Sequence, residues 1–467
     1  MFFLKRFRAL SVLFFVLLLY SCATWYQKNL LFQESFSTGD IEKANELLDE
    51  NKEAAEGKDR LLYFLQKGVV LQMLGKYEES NQYFEDAYIF TEDLQKNYAL
   101  EALSFFSNPT IVPYEGEDFE VVQLHYYKAM NYLRMNMLEE AQVECRRLNI
   151  KLNDLNDRYG NKKNRYKQDA FALNLMGIIF EASGEINNAF TSYRNAYETY
   201  EKIYKPYFGV DAPEQLKKDL LRTAYLNGFD DDLRFYQKIF KMEYKPVKES
   251  GGELVFFLNN GLGPVKDEWS LNFAIVKGSG GSVNFVNEEL GLSFPFSSGK
   301  KDDLQLGDLK VVRVAFPKYI ERKPFYVSAQ LSSDSTAVAM EKAQDINQIA
   351  FKTLQDRMLR ELGNSLLRLA VKQASEYAVR QKSEGLGALL SVVNAVTEKA
   401  DTRNWQTLPY SIFYARIALP EGMQSVKLTS RSANGSSMTK DFTFDIKKGH
   451  TTFQFFHLLE SSTIPQK

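Results

Sequence analysis

Two short stretches concentrate the side chains that could do chemistry. "NNGLGPVKDE", residues 259–268, sets Asn260, Gly261 and Gly263 ahead of Lys266 and Glu268. "DTRNW", residues 401–405, sets Asp401, Arg403 and Trp405 within one turn of chain. In the first, backbone amides of the Gly261 to Gly263 loop could receive an anionic group, with Lys266 nearby and Glu268 as acid or base. The two glycines and the proline after a strand favour the plainer reading, a tight reversal that supports the fold. The spacing matches neither a phosphate-binding P-loop nor a dinucleotide fingerprint. In the second, an arginine with a carboxylate neighbour could clamp a carboxylate or phosphate with two hydrogen bonds, and the indole could stack on a sugar or peptide. The plainer alternative, which these residue types favour, has Asp401 capping a turn, Arg403 serving buried carbonyls and Trp405 filling a core.

Other chemistry has little to work with. The histidines are His125, His450 and His457, and no two of them have helical metal-ligand spacing. No serine sits in a nucleophile-elbow sequence. Neither a metal nor any other cofactor is expected.

Cys22 poses a separate question. Lys5, Arg6 and Arg8 precede an apolar stretch from Leu10 to Tyr20, the layout of a secretory signal peptide over residues 1–21. The stretch is shorter than the roughly 20 apolar residues that span a bilayer. Leu19, Tyr20, Ser21 and Cys22 resemble the bacterial lipobox, with Tyr20 a less usual occupant of its position. The resemblance implies cleavage before Cys22, a diacylglycerol on its sulfur and a third acyl chain on its new amino group. Several chains hold a protein on a membrane where one holds only marginally. No Asp follows the cysteine, which by resemblance to known sorting rules favours the outer membrane, on its periplasmic side. Loss of residues 1–21 removes three positive charges and takes the net charge from -2 to -5, which does not suit nucleic-acid binding.

The elements that would carry these groups change character midway. Residues 61–92 place Phe64, Gly68, Leu71, Gly75, Tyr77, Ser80, Phe84 and Ala87 at tetratricopeptide signature positions. Small residues there let two antiparallel helices approach while large ones fill the gaps. The template fits again from Ala170 and Val122, and more weakly near Trp25 and Glu214. Residues 22–248 are therefore expected to form an all-α solenoid whose groove engages a protein. Cys145 falls on a core position of one such helix.

After residue 251 the period drops to two. β-rich runs are expected over 252–335 and 401–460, with a helical hairpin inserted at 336–400. The fold class is α+β: a tetratricopeptide-type solenoid followed by an antiparallel, sandwich-like domain interrupted by that hairpin.

"NNGLGPVKDE", "VVRVAFPKY" (311–319), "IAFKTLQDRMLRELGNSLLRLAVKQA" and "ADTRNWQTLPYSIFYARIALPEG" (400–422) occur in this order. Together with the repeats they resemble a family of uncharacterised bacterial lipoproteins that join N-terminal tetratricopeptide repeats to a conserved C-terminal β-rich domain. The resemblance implies a lipid-anchored envelope protein with a protein partner. A competing expectation is an envelope enzyme acting on glycan or peptide, which requires Lys266, Glu268, Asp401 and Arg403 to converge on one pocket.

Overall fold

Five helix pairs make up the N-terminal half of the computed structural model, which describes residues 25–95, 110–159, 166, 168–246, 251–277, 282–297, 311–334, 336–380 and 399–464. The pairs are α1 (Leu30–Ser37) with α2 (Ile41–Glu50), α3 (Arg60–Met73) with α4 (Tyr77–Gln95), and α5 (Asp118–Arg134) with α6 (Leu138–Tyr159). They continue with α7 (Ala170–Ala182) and α8 (Ile186–Thr199), then α9 (Glu214–Leu226) and α10 (Asp230–Phe240).

Each pair turns through one residue at positive φ, namely Gly39, Gly75, Asn136, Gly184 and Gly228. That conformation is cheap for glycine and tolerable for asparagine. Inside the pairs, glycine serves close approach. A Cβ at Gly177 would meet the Tyr193 ring at 2.4 Å, and one at Gly68 would meet the Phe84 ring at 2.7 Å. Cys145 is buried in α6, and burial pushes its thiol well above the usual range. α8 runs on into a π-helix, Tyr200–Phe208, and the Tyr200 hydroxyl donates to the Ala343 carbonyl at 2.7 Å.

Among the described residues the C-terminal half holds three four-stranded sheets. Its strands are β1 (Gly251–Asn260), β2 (Val265–Lys277), β3 (Ser282–Asn287), β4 (Leu292–Ser297), β5 (Val311–Ile320) and β6 (Tyr326–Ser332). The remainder are β7 (Ala337–Ala339), β8 (Glu341–Asp345), β9 (Ser411–Pro420), β10 (Gly422–Ser432), β11 (Ser437–Ile446) and β12 (Thr451–Leu458). The sheet orders are β12-β1-β9-β8, β11-β10-β6-β7 and β4-β3-β2-β5.

The first two sheets form the sandwich. Leu254, Phe256, Leu258, Ala415 and Ile417 of the first share a core with Leu331, Val426, Leu428 and Ile446 of the second. The opposite face of the first sheet carries Val255, Phe257, Tyr414, Phe453 and Phe455, and these join the core of the helical half. Burial on both faces explains why "LVFFL" in β1 reads as a continuous apolar run and not an alternating one.

Three expectations are corrected in detail. β1 and β12 pair in parallel, so the first sheet is mixed. The β2 to β5 strands form a third sheet of their own, packed on the long helix α11 (Ile346–Arg380) through Phe273, Val314, Leu354 and Leu362. The inserted helix begins at Ile346 and not at 336, because β7 and β8 occupy 337–345. Cys22 and nearly all of the second hairpin helix lie outside the described residues.

Candidate functional site

The two chemistry-bearing segments do meet, and they meet on the helical half. In stacked helix pairs the first helices line the inner face, here α3, α5, α7 and α9. Their ends are taken up one after another by the C-terminal half. At the start of α5, Glu117 and Glu120 form a capping box. The Glu117 carboxylate also accepts from the Lys266 ammonium and from the Arg357 guanidinium. Glu120 accepts from the Trp405 backbone amide at 2.7 Å and from the Tyr114 hydroxyl at 2.7 Å. At the start of α7, the capping carboxylate Asp169 accepts from Gln344 at 2.7 Å. At the start of α9, the amides of Glu214 and Gln215 donate to Glu341 at 2.8 and 2.9 Å. The cap there is Pro213, which has no side-chain acceptor, and Glu341 supplies one from β8.

The far ends are equally engaged. Arg134 donates to the Phe453 carbonyl at 2.9 Å, and His457 lies 3.3 Å from Gln72. Arg416 on β9 pairs with Glu181 at 2.8 Å and with Asp219 at 3.5 Å. Tyr126 donates to Asn259 at 2.9 Å, and its ring meets Phe257 edge to face. The inner surface expected to receive a partner is therefore covered by the chain's own C-terminal half.

Against that frame each candidate residue has a definite place. Gly261 sits at φ +68, and a Cβ there would lie 2.7 Å from Pro324. The amides of Gly261, Leu262 and Gly263 donate to the Leu458 carbonyl, the Ser461 hydroxyl and the Leu408 carbonyl. All three are spent, so the anion-cradling reading of the loop is corrected to a reversal that ties β1 to the C-terminal strand and to the 400–409 segment. Asn260 is buried and donates to the Tyr326 carbonyl at 2.8 Å. Lys266 is 4% exposed and lies between the rings of Tyr114 and Tyr319, at 5.8 and 5.7 Å. Glu268 accepts from the Ala400 amide at 3.0 Å.

Asp401 accepts from both the backbone and the guanidinium of Arg403. Arg403 also reaches Asp59 at 3.1 Å and the Val112 carbonyl at 3.1 Å. The clamp exists, but it closes on carboxylates of this chain. Trp405 is 1% exposed, rests against Phe84 and Tyr127, and donates to Thr407 at 2.8 Å. It fills the core.

Sequence reading missed Glu117, Glu120, Tyr114, Arg322 and Arg357. The available signal was "EGEDFE", residues 115–120, a carboxylate pair three apart at a helix start. Arg322 is buried and donates to the carbonyls of Gly263 and Gln406, locking both chemistry-bearing segments together.

The seam's electrostatics are divided. Burial alone would raise Glu117, but Arg357 and Lys266 hold it well below the usual carboxylate range. Burial, reinforced by the charge of Glu117, lifts Glu120 to about 7. Burial also lifts Asp219 to about 7, with Glu181 adding to the effect and Arg222 opposing it. A carboxyl raised on folding contributes stability that is full below its ordinary value of 4.5 and is lost as pH climbs through about 7. Burial lowers His457 to about 4, so its opposite contribution is complete by about pH 6.5. The melting midpoint should accordingly fall from about pH 5 to about pH 7.5, the two carboxyls outweighing the one imidazole below about pH 6.5. Glu120→Gln, neutral throughout, should flatten that fall, as a melting series across the window would reveal.

No protein-family model and no curated protein matches the chain. Among solved structures it is similar to MamA, at 13% identity and a TM-score of 0.28, over 44% of this chain and 89% of that one. It is similar to BtubC from P. vanneervenii, at 13% identity and 0.32, over 48% and 84%. It is also similar to a Podosopora anserina putative kinesin light chain with nearly identical TPR-like repeats, at 11% identity and 0.31, over 46% and 91%.

Proposed function

We propose that the protein is an envelope lipoprotein, tethered through Cys22 to the outer membrane and facing the periplasm, that acts as a rigid scaffold or adaptor for another envelope protein. The observation that carries the scaffold reading is the seam. The starts of α5, α7 and α9 and the far ends of α3, α5 and α7 are tied to the C-terminal half, which holds the two halves as one body. Partner binding then falls to the outward faces of the second helices. Ile89 and Ile150 occupy the same place in successive repeats, twelve residues after the start of α4 and of α6, and are 50% and 59% exposed. Exposed apolar side chains repeated in register make a surface suited to protein contact.

The tether supports the envelope reading. Cys22 precedes the first described residue, Trp25, by three peptide steps, a reach of about 11 Å. A lipidated chain would hold α1 close against the bilayer, where Leu31, 69% exposed, suits the interface. In cells, labelled palmitate should enter the wild-type protein and not Cys22→Ala. Photo-crosslinkers at positions 89 and 150 should trap one and the same envelope protein, while one at Val327 on the outer sheet should not. Absence of label from the wild-type chain would remove the anchor. Indiscriminate crosslinking from all three positions would remove the outward docking face.

A further inference from the structure

Along the seam Lys266, Arg357, Arg403 and Arg416 are each paired with a carboxylate, and one place in the fold contrasts with them. A cleft of about 350 Å³ opens where the chain leaves β5 and α11 begins, lined by Glu321, Asn347, Gln348, Phe351, Lys352 and Gln355. We infer that this cleft binds a small zwitterion, a free amino acid or a peptide of two or three residues, with Lys352 taking its carboxylate and Glu321 its ammonium group.

The walls are fixed and the charges are not used. One oxygen of Glu321 accepts from the Tyr410 hydroxyl at 2.8 Å, and the Asn347 amide donates to the Tyr410 carbonyl at 3.2 Å, so a single tyrosine ties both sides. Phe351, the apolar floor, rests against Tyr319 with ring centroids 5.8 Å apart. Lys352 lies over the Tyr207 ring at 5.5 Å. Among the described residues neither Glu321 nor Lys352 forms an ion pair, with the other or with any third group. Asn347 is 2% exposed, and its side-chain oxygen has no hydrogen-bond partner among the described residues. A buried acceptor without a donor is unfavourable, a deficit that a ligand N–H would relieve.

Two unpaired charges of opposite sign in one cleft select the ligand class. A neutral sugar would strip water from both without neutralising either, and a simple anion would face Glu321. A molecule carrying both signs satisfies both. The side-chain amides of Asn347, Gln348 and Gln355 offer the donor and acceptor pairs that a peptide group requires. The volume falls near the lower end of the roughly 300–1,000 Å³ typical of ligand sites, which limits the occupant to a few residues.

Calorimetric titration of the full chain with glycyl-glycine and alanyl-alanine tests the inference. Saturable binding is expected, weakened about tenfold or more by Glu321→Gln and by Lys352→Gln, because a hydrogen bond to a charged group is worth about 1.5–3 kcal/mol. Dipeptides acetylated at one end and amidated at the other should not bind. Unchanged melting curves of both variants would show that the loss is local, since glutamine at 321 still accepts from Tyr410. The inference is overturned if the free dipeptides do not bind, if the double variant binds them as well as wild type, or if chitotriose binds in their place.

Discussion

Replacing Glu117 by glutamine should destabilise the protein by about 3–5 kcal/mol, the loss seen when one partner of a buried ion pair is removed and the other charge is left stranded. Glu117 caps α5 and neutralises two cations from the other half, Lys266 and Arg357. Arg357 keeps 23% of its side chain in solvent and can be hydrated there, whereas the Lys266 side chain keeps 4%. Lys266 then has only the faces of Tyr114 and Tyr319 to rest on, and such desolvated contacts, worth about 2 kcal/mol or somewhat more, do not replace a buried carboxylate. The double variant Glu117→Gln, Lys266→Met should recover most of the loss, since the aliphatic stem survives and no charge remains buried without a partner. Loss of the Glu117 charge also removes the second cause holding Glu120 up, so Glu120 should titrate lower in the single variant. Thermal melts of wild type and the three variants, with Lys266→Met as the third, decide the matter. A Glu117→Gln protein as stable as wild type would refute the seam as the principal electrostatic lock.

The helix pairs were legible because their signal is local. Gly68 and Gly177 must be small for Phe84 and Tyr193 to pack, and that demand recurs at fixed spacing in the chain. The strands were legible by alternation wherever one face meets solvent, as along β5 with Val312, Val314 and Phe316 inward. The parallel pairing of β1 with β12 was not, since their partnered residues lie about two hundred positions apart and no local pattern encodes the direction of approach. The candidate site was half legible. "NNGLGPVKDE" and "DTRNW" were singled out together, and Asn404 joins them by accepting from the Lys266 amide at 3.2 Å and donating to the Pro264 carbonyl at 2.8 Å. What the residues do there depends on Glu117, Arg322 and Arg357, each contributed by a separate element.

That distribution changes what the helical array is for. An inner face of stacked helices usually awaits an extended or helical segment from another molecule. Here the same face is filled by β1, β9 and β12 through Phe257, Tyr414 and Phe453. Its helix N-termini, which attract negative charge, are already met by Glu341 at α9. Opening that face would strand Lys266 without its carboxylate and leave Arg416 with Glu253 alone, so exchange of the C-terminal half for an outside partner is opposed.

Trp405→Ala should cost about 3–5 kcal/mol and should do so by loosening the seam and not either half alone. The indole is enclosed by Phe84 of the second helix pair and Tyr127 of the third, with ring centroids at 6.1 and 5.4 Å, while its own segment leads into β9. Truncation leaves a void between the Trp405 segment and two rings of the helical half, and these rings are held by close-packed backbones. Phe84 is fixed against Gly68, and Tyr127 is flanked by Tyr126. The void therefore has little room to collapse, which places the loss toward the upper part of the range. Trp405→Phe keeps most of the buried surface and gives up the hydrogen bond to Thr407, so its cost should be nearer 1 kcal/mol. Hydrogen exchange separates a loosened seam from general unfolding. In Trp405→Ala the amides of β12 and of α5 should exchange faster together, while those of β10 and β11, in the outer sheet, should stay near wild-type rates. Uniform acceleration across all three sheets would mean that the tryptophan supports the fold as a whole and not the joint between its halves.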